Sequence, residues 1–326
     1  MDPRILFQAE GDVVAALGHD NVLLAAFDEV GRGCLAGPVV AGCTLWRATS
    51  ASQASSQANS SETRNALLAR VDDSKALSER VRLEVARQAL TLFPFEAPAP
   101  LRWALEDVGI HSTSPSSLFV PEVPHLEANG LVASRARPLD YDDLASARTR
   151  TTLARSVKRP RTSKRTFHCV GMGLGQACNL EIDTHNIWRC VQVAMARALN
   201  AALTARFSDS RGLEGIDRAY RGDKEGAETE TLVLVVDGNR AIAVAEEHAD
   251  ATQVTCVRGD SRFVSLGLAS VVAKVARDAD MVRAGRLHPG YGFERHKGYG
   301  TAEHLVALRE RAPMSLHRRT FLKSFV

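Results

Sequence analysis

At 326 residues, with 45% hydrophobic and 24% charged side chains, the chain can bury a full core as one large domain or two smaller ones. No run approaches the roughly 18 apolar residues that span a bilayer, and residues 1–20 lack both the basic-then-apolar order of a secretory leader and the arginine content of a transit peptide, so the sequence reads as intracellular. The net charge of +3 leaves the partner open, because local stripes of charge decide phosphate binding; the six cysteines, Cys34, Cys43, Cys169, Cys178, Cys190 and Cys256, have no CxxC or zinc-ligand spacing, which predicts reduced, buried thiols.

Residues 22–27 form an apolar run with strand character, the glycine-punctuated stretch 31–37 turns the chain, and 38–46 is a second apolar run, so the pair reads as antiparallel strands. A Ser/Gln/Ala-rich stretch at about 48–62 offers little to bury and reads as a loop. Ser78 is a good N-cap for a helix carrying Val81, Val85 and Ala89 on one face. From about 95 to 166 no long period survives, and its last part, 146–166, carries eight Arg and Lys residues from Arg148 to Arg165 with no acidic residue. This region reads as a disordered insertion, with its basic run a candidate for salt-sensitive nucleic-acid affinity, a localisation signal or a partner-binding tail.

Order returns with a strand at 167–173 and one long helix at about 184–207, bearing Ile187, Val191, Met195 and Ala198 at helical spacing. A charged loop spans 208–230. Strands follow at 231–236 and 253–257, then helices at 264–284 and 301–311. Strands that come first as an antiparallel group and later alternate with helices imply a mixed α/β sheet covered by helices.

The chemistry gathers at strand ends. Asp28 and Glu29 follow the first apolar strand, and Asp237 follows the run 231–236. Carboxylates at the ends of adjacent central strands would converge, and such hard oxygen donors suit Mg²⁺ or Mn²⁺. Taken singly, each is as well explained as a solvated turn, since Asp-Gly after a strand is a common turn signal.

Longer strings change that balance. FDEVGRGCLAGPVVAG (27–42), DDSKALSER (72–80), EIDTHNI (181–187), VDGN (236–239), VRGDSRFVSLGLASVVAKVARD (257–278), YGFERHKGYG (291–300) and LHRRTF (316–321) occur in one order along the chain and closely resemble the ribonuclease HII family, a type 2 ribonuclease H. The resemblance implies a ribonuclease H-like fold: a mixed five-stranded sheet flanked by helices, with a small C-terminal helical part. It divides the chain into an N-terminal segment at 1–20, a catalytic domain at 21–284 with insertions at about 48–66, 95–166 and 208–230, and a substrate-binding helical part at 285–326. It also implies four acidic catalytic and metal ligands, Asp28, Glu29, Asp237 and Asp260, with two Mg²⁺ or Mn²⁺ ions when substrate is bound. Asp278, in a matching segment, is not carried over as a ligand. Departures are mild: Arg258 stands where the family commonly has Lys, Cys34 where it has Ser or Pro, and Gly267-Leu268 replaces a small pair.

The implied activity is cleavage 5′ to a ribonucleotide, in RNA–DNA hybrids and at single ribonucleotides in duplex DNA, leaving 3′-hydroxyl and 5′-phosphate ends, with roles in primer removal and ribonucleotide repair. Glycines at 31 and 33 let the backbone approach a sugar, Arg32 can engage a phosphate or base edge, and only the 2′-hydroxyl separates RNA from DNA. In the family this string reads the ribonucleotide together with the tyrosine that corresponds to Tyr299. Lys75 and Lys274 are substrate-binding candidates, and His296, Lys297, Arg318 and Arg319 are further candidate phosphate contacts. The tail 321–325 has a weak likeness to a sliding-clamp segment, although ordinary packing explains it better. Nothing demands more than a monomer or a membrane, and the compartment would be the cytoplasm in a bacterium, the nucleus or mitochondrion in a eukaryote. Two rival readings are a ribonuclease H that needs longer RNA runs and a hybrid-binding module without catalysis.

Overall fold

The structure, a computed structural model, describes residues 6–19, 21–50, 58–71, 77–111, 130–146, 165–208 and 230–323. One seven-stranded mixed sheet carries the site, in the order β3-β5-β2-β1-β6-β7-β4. Its five long strands are β1 (Val22–Val30), β2 (Val39–Ser50), β5 (Arg165–Ala177), β6 (Thr231–Asp237) and β7 (Thr252–Cys256). The edges are finished by β3 (Phe95–Glu96) on β5 and β4 (Leu139–Asp140) on β7. β1 and β2 are antiparallel, as their apolar runs predict, whereas β1–β6 and β6–β7 are parallel.

β1 is apolar without alternation because both of its faces are covered. Val22, Leu24 and Ala26 enter one core, beneath helix α7 (Val264–Leu287); Leu23, Ala25 and Phe27 enter the other, beneath α6 (Ile187–Ser208). The glycines at 171, 173 and 175 of β5 let α6 lie close, since a Cβ at Gly173 would sit 2.3 Å from the Ala202 nitrogen. A Cβ at Gly42 of β2 would likewise sit 2.4 Å from the Ala269 carbonyl oxygen of α7. α7 is therefore pressed onto the sheet opposite Asp28, the register partner of Gly42.

Further helices include α1 (Gln8–Leu17), α2 (Ala58–Leu68), α3 (Glu79–Leu92), α4 (Ala99–Asp107), α5 (Asn179–His185), α8 (Phe293–His296), α9 (Ala302–Arg311) and α10 (Arg319–Leu322). Ser78 caps α3 as expected, its hydroxyl accepting the Val81 N–H at 3.4 Å. α1 has no counterpart in the sequence reading. Its Glu10 is wholly buried, and Glu10 Oε1 accepts both the N–H and the hydroxyl of Ser265, satisfying the first turn of α7 across the chain.

Four expectations need correction. The long helix at 184–207 is two helices, because Asn186 takes a left-handed φ of 68° between α5 and α6. The loop at 48–62 is shorter than expected: β2 runs to Ser50 and α2 begins at Ala58, with Leu67 and Leu68 buried in the core. The insertion at 95–166 holds β3, α4 and β4, and Phe95, Leu101 and Leu105 are core residues. Finally, Cys178 is exposed at the start of α5, although all six thiols are free. Lys75, the basic run at 148–164 and the loop at 209–229 lie outside the described residues. Among the described residues no helix is long and apolar enough to cross a membrane.

Candidate active site

The pairing of β1 with β6 stops at Phe27 and Val236, so Asp237, the last residue of β6, emerges next to Asp28 at the centre of the sheet. Asp28 and Glu29, expected to follow the first strand, instead lie within β1, paired with Gly42 and Ala41 of β2. Asp260 arrives from the next strand over, in the 3₁₀ turn Gly259–Ser261 that follows β7. The turn needs a left-handed residue, Arg258 at φ 55°, and then a glycine, because a Cβ at Gly259 would lie 2.4 Å from a Leu266 methyl. The Gly259 N–H donates to Asp237 Oδ1 at 2.6 Å, tying the two acidic segments together.

Asp28 is buried, and its carboxyl is pushed up to about 8. Burial is the largest cause and the charge of Glu29 the next; Asp237 and Asp260 add to the rise, while the Ser270 hydroxyl opposes it. The other three acidic residues singled out from the sequence thus all act electrostatically on Asp28. Successive residues of a strand point to opposite faces: Asp28 meets Ser270 of α7, and Glu29 opens on the α6 side. Among the described residues no three His, Cys, Asp or Glu side chains converge at ligand distance. Asp28 Oδ1 instead accepts the Glu29 N–H at 2.8 Å, as Asp237 Oδ1 accepts that of Gly259. The donors are all oxygen and bring like charges together around Asp28, a combination that fits hard divalent cations.

Beside the carboxylates, the loop 31–37 is held by two wholly buried guanidinium groups. Arg318 donates to the carbonyls of Gly31 (2.8 Å), Arg32 (3.0 Å) and Gly37 (3.0 Å). Arg277 donates to those of Ala36 (3.3 Å), Pro38 (2.9 Å) and Lys297 (3.0 Å). Gly31 has φ 89°, and a Cβ there would overlap Arg277 Nε at 2.1 Å, so both conformation and space demand glycine. The Leu35 N–H donates to the Gly298 carbonyl at 2.8 Å, which fastens this loop to the segment bearing Tyr299. Tyr299 is 38% exposed, with the Lys274 ammonium 5.7 Å from its ring centroid and the buried Cys34 thiol hydrogen-bonded to its hydroxyl. Burial raises the phenol above its ordinary range.

Arg318 and His296, read from sequence as candidate phosphate contacts, are buried: Arg318 braces the loop, and His296 Nε2 hydrogen-bonds the Tyr291 carbonyl oxygen at 2.7 Å. Lys274 pairs with Asp278 at 2.7 Å. The tail packs through Leu322 onto Leu35 and Leu308. The sequence reading did not reach Trp188 and Arg240. Together with Glu29, Arg32, Asp237 and Asn239 they line a cavity of about 270 Å³. An aromatic residue at the start of α6 and an arginine just after VDGN are the signals that marked them.

The family model described as Ribonuclease HII matches residues 223–324. The chain is 34% identical over 202 residues to a ribonuclease HII of Chromohalobacter salexigens, covering 62% of this chain and 83% of that protein. With a ribonuclease HII of Synechococcus sp. it shares 40% over 156 residues, covering 48% and 64% respectively. Among solved structures it is similar to the ribonuclease H2 of Pyrococcus horikoshii OT3, with 12% identity, a TM-score of 0.40 and coverage of 92% of this chain and 93% of that one. The chain belongs to the ribonuclease HII family. It is therefore a hydrolase of phosphodiester bonds, an endoribonuclease of RNA–DNA hybrids in a family that depends on divalent metal ions.

Proposed function

We propose that the chain cuts on the 5′ side of ribonucleotides, both in hybrids and at single ribonucleotides in duplex DNA, leaving 3′-hydroxyl and 5′-phosphate ends. The observation that carries this reading is the gathering of Glu29, Asp237 and Asp260 around the buried Asp28, whose carboxyl the charge of each raises, from two neighbouring strands and a turn beside the glycine loop. These four would hold two Mg²⁺ or Mn²⁺ ions once the substrate phosphate adds its oxygens. When bound, the ions supply activation of a water for in-line attack and charge stabilisation at the departing 3′ oxygen.

The remaining roles fall to the chain itself. Ser270 and the Glu29 N–H orient Asp28, and the Gly259 N–H orients Asp237. Gly31, Arg32 and Gly33 lie against the ribose, where backbone groups can address the 2′-hydroxyl. Tyr299 packs on the following sugar and disfavours a second hydroxyl there, with Lys274 beside the ring and Lys75 as a further phosphate contact. Such an activity serves ribonucleotide repair and primer removal, and a monomer suffices for it.

A duplex with one embedded ribonucleotide tests the reading. Cleavage with Mg²⁺ or Mn²⁺ at the 5′ side of the ribonucleotide, with mapped ends as above, is expected. Cleavage of long hybrids alone would replace it with a ribonuclease H that needs RNA runs.

A further inference from the structure

The cavity beside Glu29 and Asp237 has a wall that catalysis by the carboxylates does not use. Trp188, half-buried at the start of α6, is approached by two guanidinium groups: Arg32 at 5.4 Å and Arg240 at 5.6 Å from its ring centroid. Arg32 is drawn toward Glu29, 3.8 Å away, and its backbone is fixed by Arg318. Arg240 differs. It is exposed just after the turn that bears Asp237, and no carboxylate among the described residues pairs with it. Its orientation therefore rests on the indole ring, a cation–π contact that fixes a charge without neutralising it.

We propose that Trp188 and Arg240 form a one-nucleotide subsite for the strand being cut, in which Arg240, with Arg32 opposite, holds the backbone phosphate next to the scissile one. Three observations support it. The cavity, about 270 Å³, has room for a single nucleotide rather than a run of them, and it opens directly on Glu29 and Asp237. A phosphodiester drawn to those carboxylates through cations places its neighbouring phosphate within reach of a cation outside the cluster, and Arg240 is such a cation. A forked guanidinium on an aromatic platform matches the tetrahedral face of a phosphate, while the ring can cover a sugar or base that would otherwise sit in water. The contact is blind to sequence and to the 2′-hydroxyl, so it positions the strand and leaves sugar selection to the glycine loop.

This inference rests on the carboxylate cluster being the cleavage centre, and the test separates the two. Steady-state cleavage of the single-ribonucleotide duplex by the full chain is measured with Mg²⁺ at several salt concentrations. Arg240→Gln is expected to raise KM about tenfold, the loss of one charge-assisted contact, with kcat within about twofold. The slope of log KM against log salt should become shallower by roughly one unit. Arg240→Lys should keep the wild-type slope, and Trp188→Leu should raise KM without changing the slope. Because Trp188 also packs against the core, the exposed Arg240 variants decide the matter. Wild-type KM and slope in Arg240→Gln would overturn the subsite while leaving the cleavage centre intact; an inactive wild-type chain would overturn the cleavage centre itself.

Discussion

The carboxylate cluster and the glycine loop lie side by side and are built by opposite means. The cluster brings like charges together and leaves Asp28 with a carboxyl displaced to about 8. The loop is closed on itself: two buried arginines satisfy carbonyls from Gly31 to Pro38, and the cations need nothing from the substrate. Arg318 even has its guanidinium lowered to about 10 by burial and still carries its charge at neutral pH. Under the proposed function, one region receives cations while the other holds a fixed shape. Substitutions should therefore separate activity from stability.

The largest effect is expected on activity. Asp237→Asn should lower cleavage by roughly a thousandfold or more, since a ligand carboxylate is lost while its Oδ1 can still accept the Gly259 N–H. Hybrid binding should persist. In chelator-treated protein the variant should melt no lower than the parent, because a like charge beside Asp28 has gone. Divalent ions should raise the melting temperature of the parent more than that of the variant. Cleavage at the parental rate would remove Asp237 from the site.

The loop should respond in the opposite sense. Arg318→Met leaves three carbonyls without their donor, and a stability loss of roughly 3–5 kcal/mol is expected in urea unfolding. Arg318→Lys should recover little, because one ammonium cannot span the fork. Parental stability in Arg318→Met would show that the loop keeps its shape without the brace.

The same contrast explains what the sequence made legible. A strand buried on both faces is a continuous apolar run, so β1, β2 and β6 stand out, and with them the carboxylates Asp28, Glu29 and Asp237 that follow the apolar stretches of β1 and β6. A charge inside a loop carries no such mark. Arg318 in LHRRTF looks like any solvated arginine, and only the carbonyls folded around it reveal its role. The break at Asn186 escaped because the apolar positions at helical spacing, Ile187 to Ala198, all lie beyond it and leave the boundary unmarked, and β3 and β4 escaped because two residues make no periodic signal. Glu10 lies more than 250 residues from its partner Ser265, beyond any local pattern.

Glu10 gives a third, smaller test, of the support behind the cluster rather than the cluster itself. Its folded carboxyl is raised from 4.5 to about 7, by burial first, against several hydrogen bonds that lower it. Between those values the folded chain binds the proton that the unfolded chain releases, so stability falls as pH rises from about 4.5 to about 7 and levels off above. The span is up to about 3 kcal/mol at 1.36 kcal/mol per pKa unit. Glu10→Gln should flatten that slope, as read from unfolding midpoints across the window. An unchanged slope would mean that Glu10 is ionised throughout.

The smallest effect belongs to the joint between the two regions. Arginines fix the loop backbone, but the Tyr299 hydroxyl is hydrogen-bonded to the Cys34 thiol, a weak donor and acceptor. If the ring selects the sugar, Tyr299→Ala should lower kcat/KM on the single-ribonucleotide duplex by about tenfold, the scale of one packed aromatic contact. Cleavage of a long hybrid, with other ribonucleotides available, should fall less. Tyr299→Phe and Cys34→Ala remove only the thiol contact and should each cost less than about threefold on the single-ribonucleotide duplex, in line with a weak hydrogen bond. Equal losses on both substrates for Tyr299→Ala would assign the ring to general strand binding and leave sugar selection to Gly31, Arg32 and Gly33 alone.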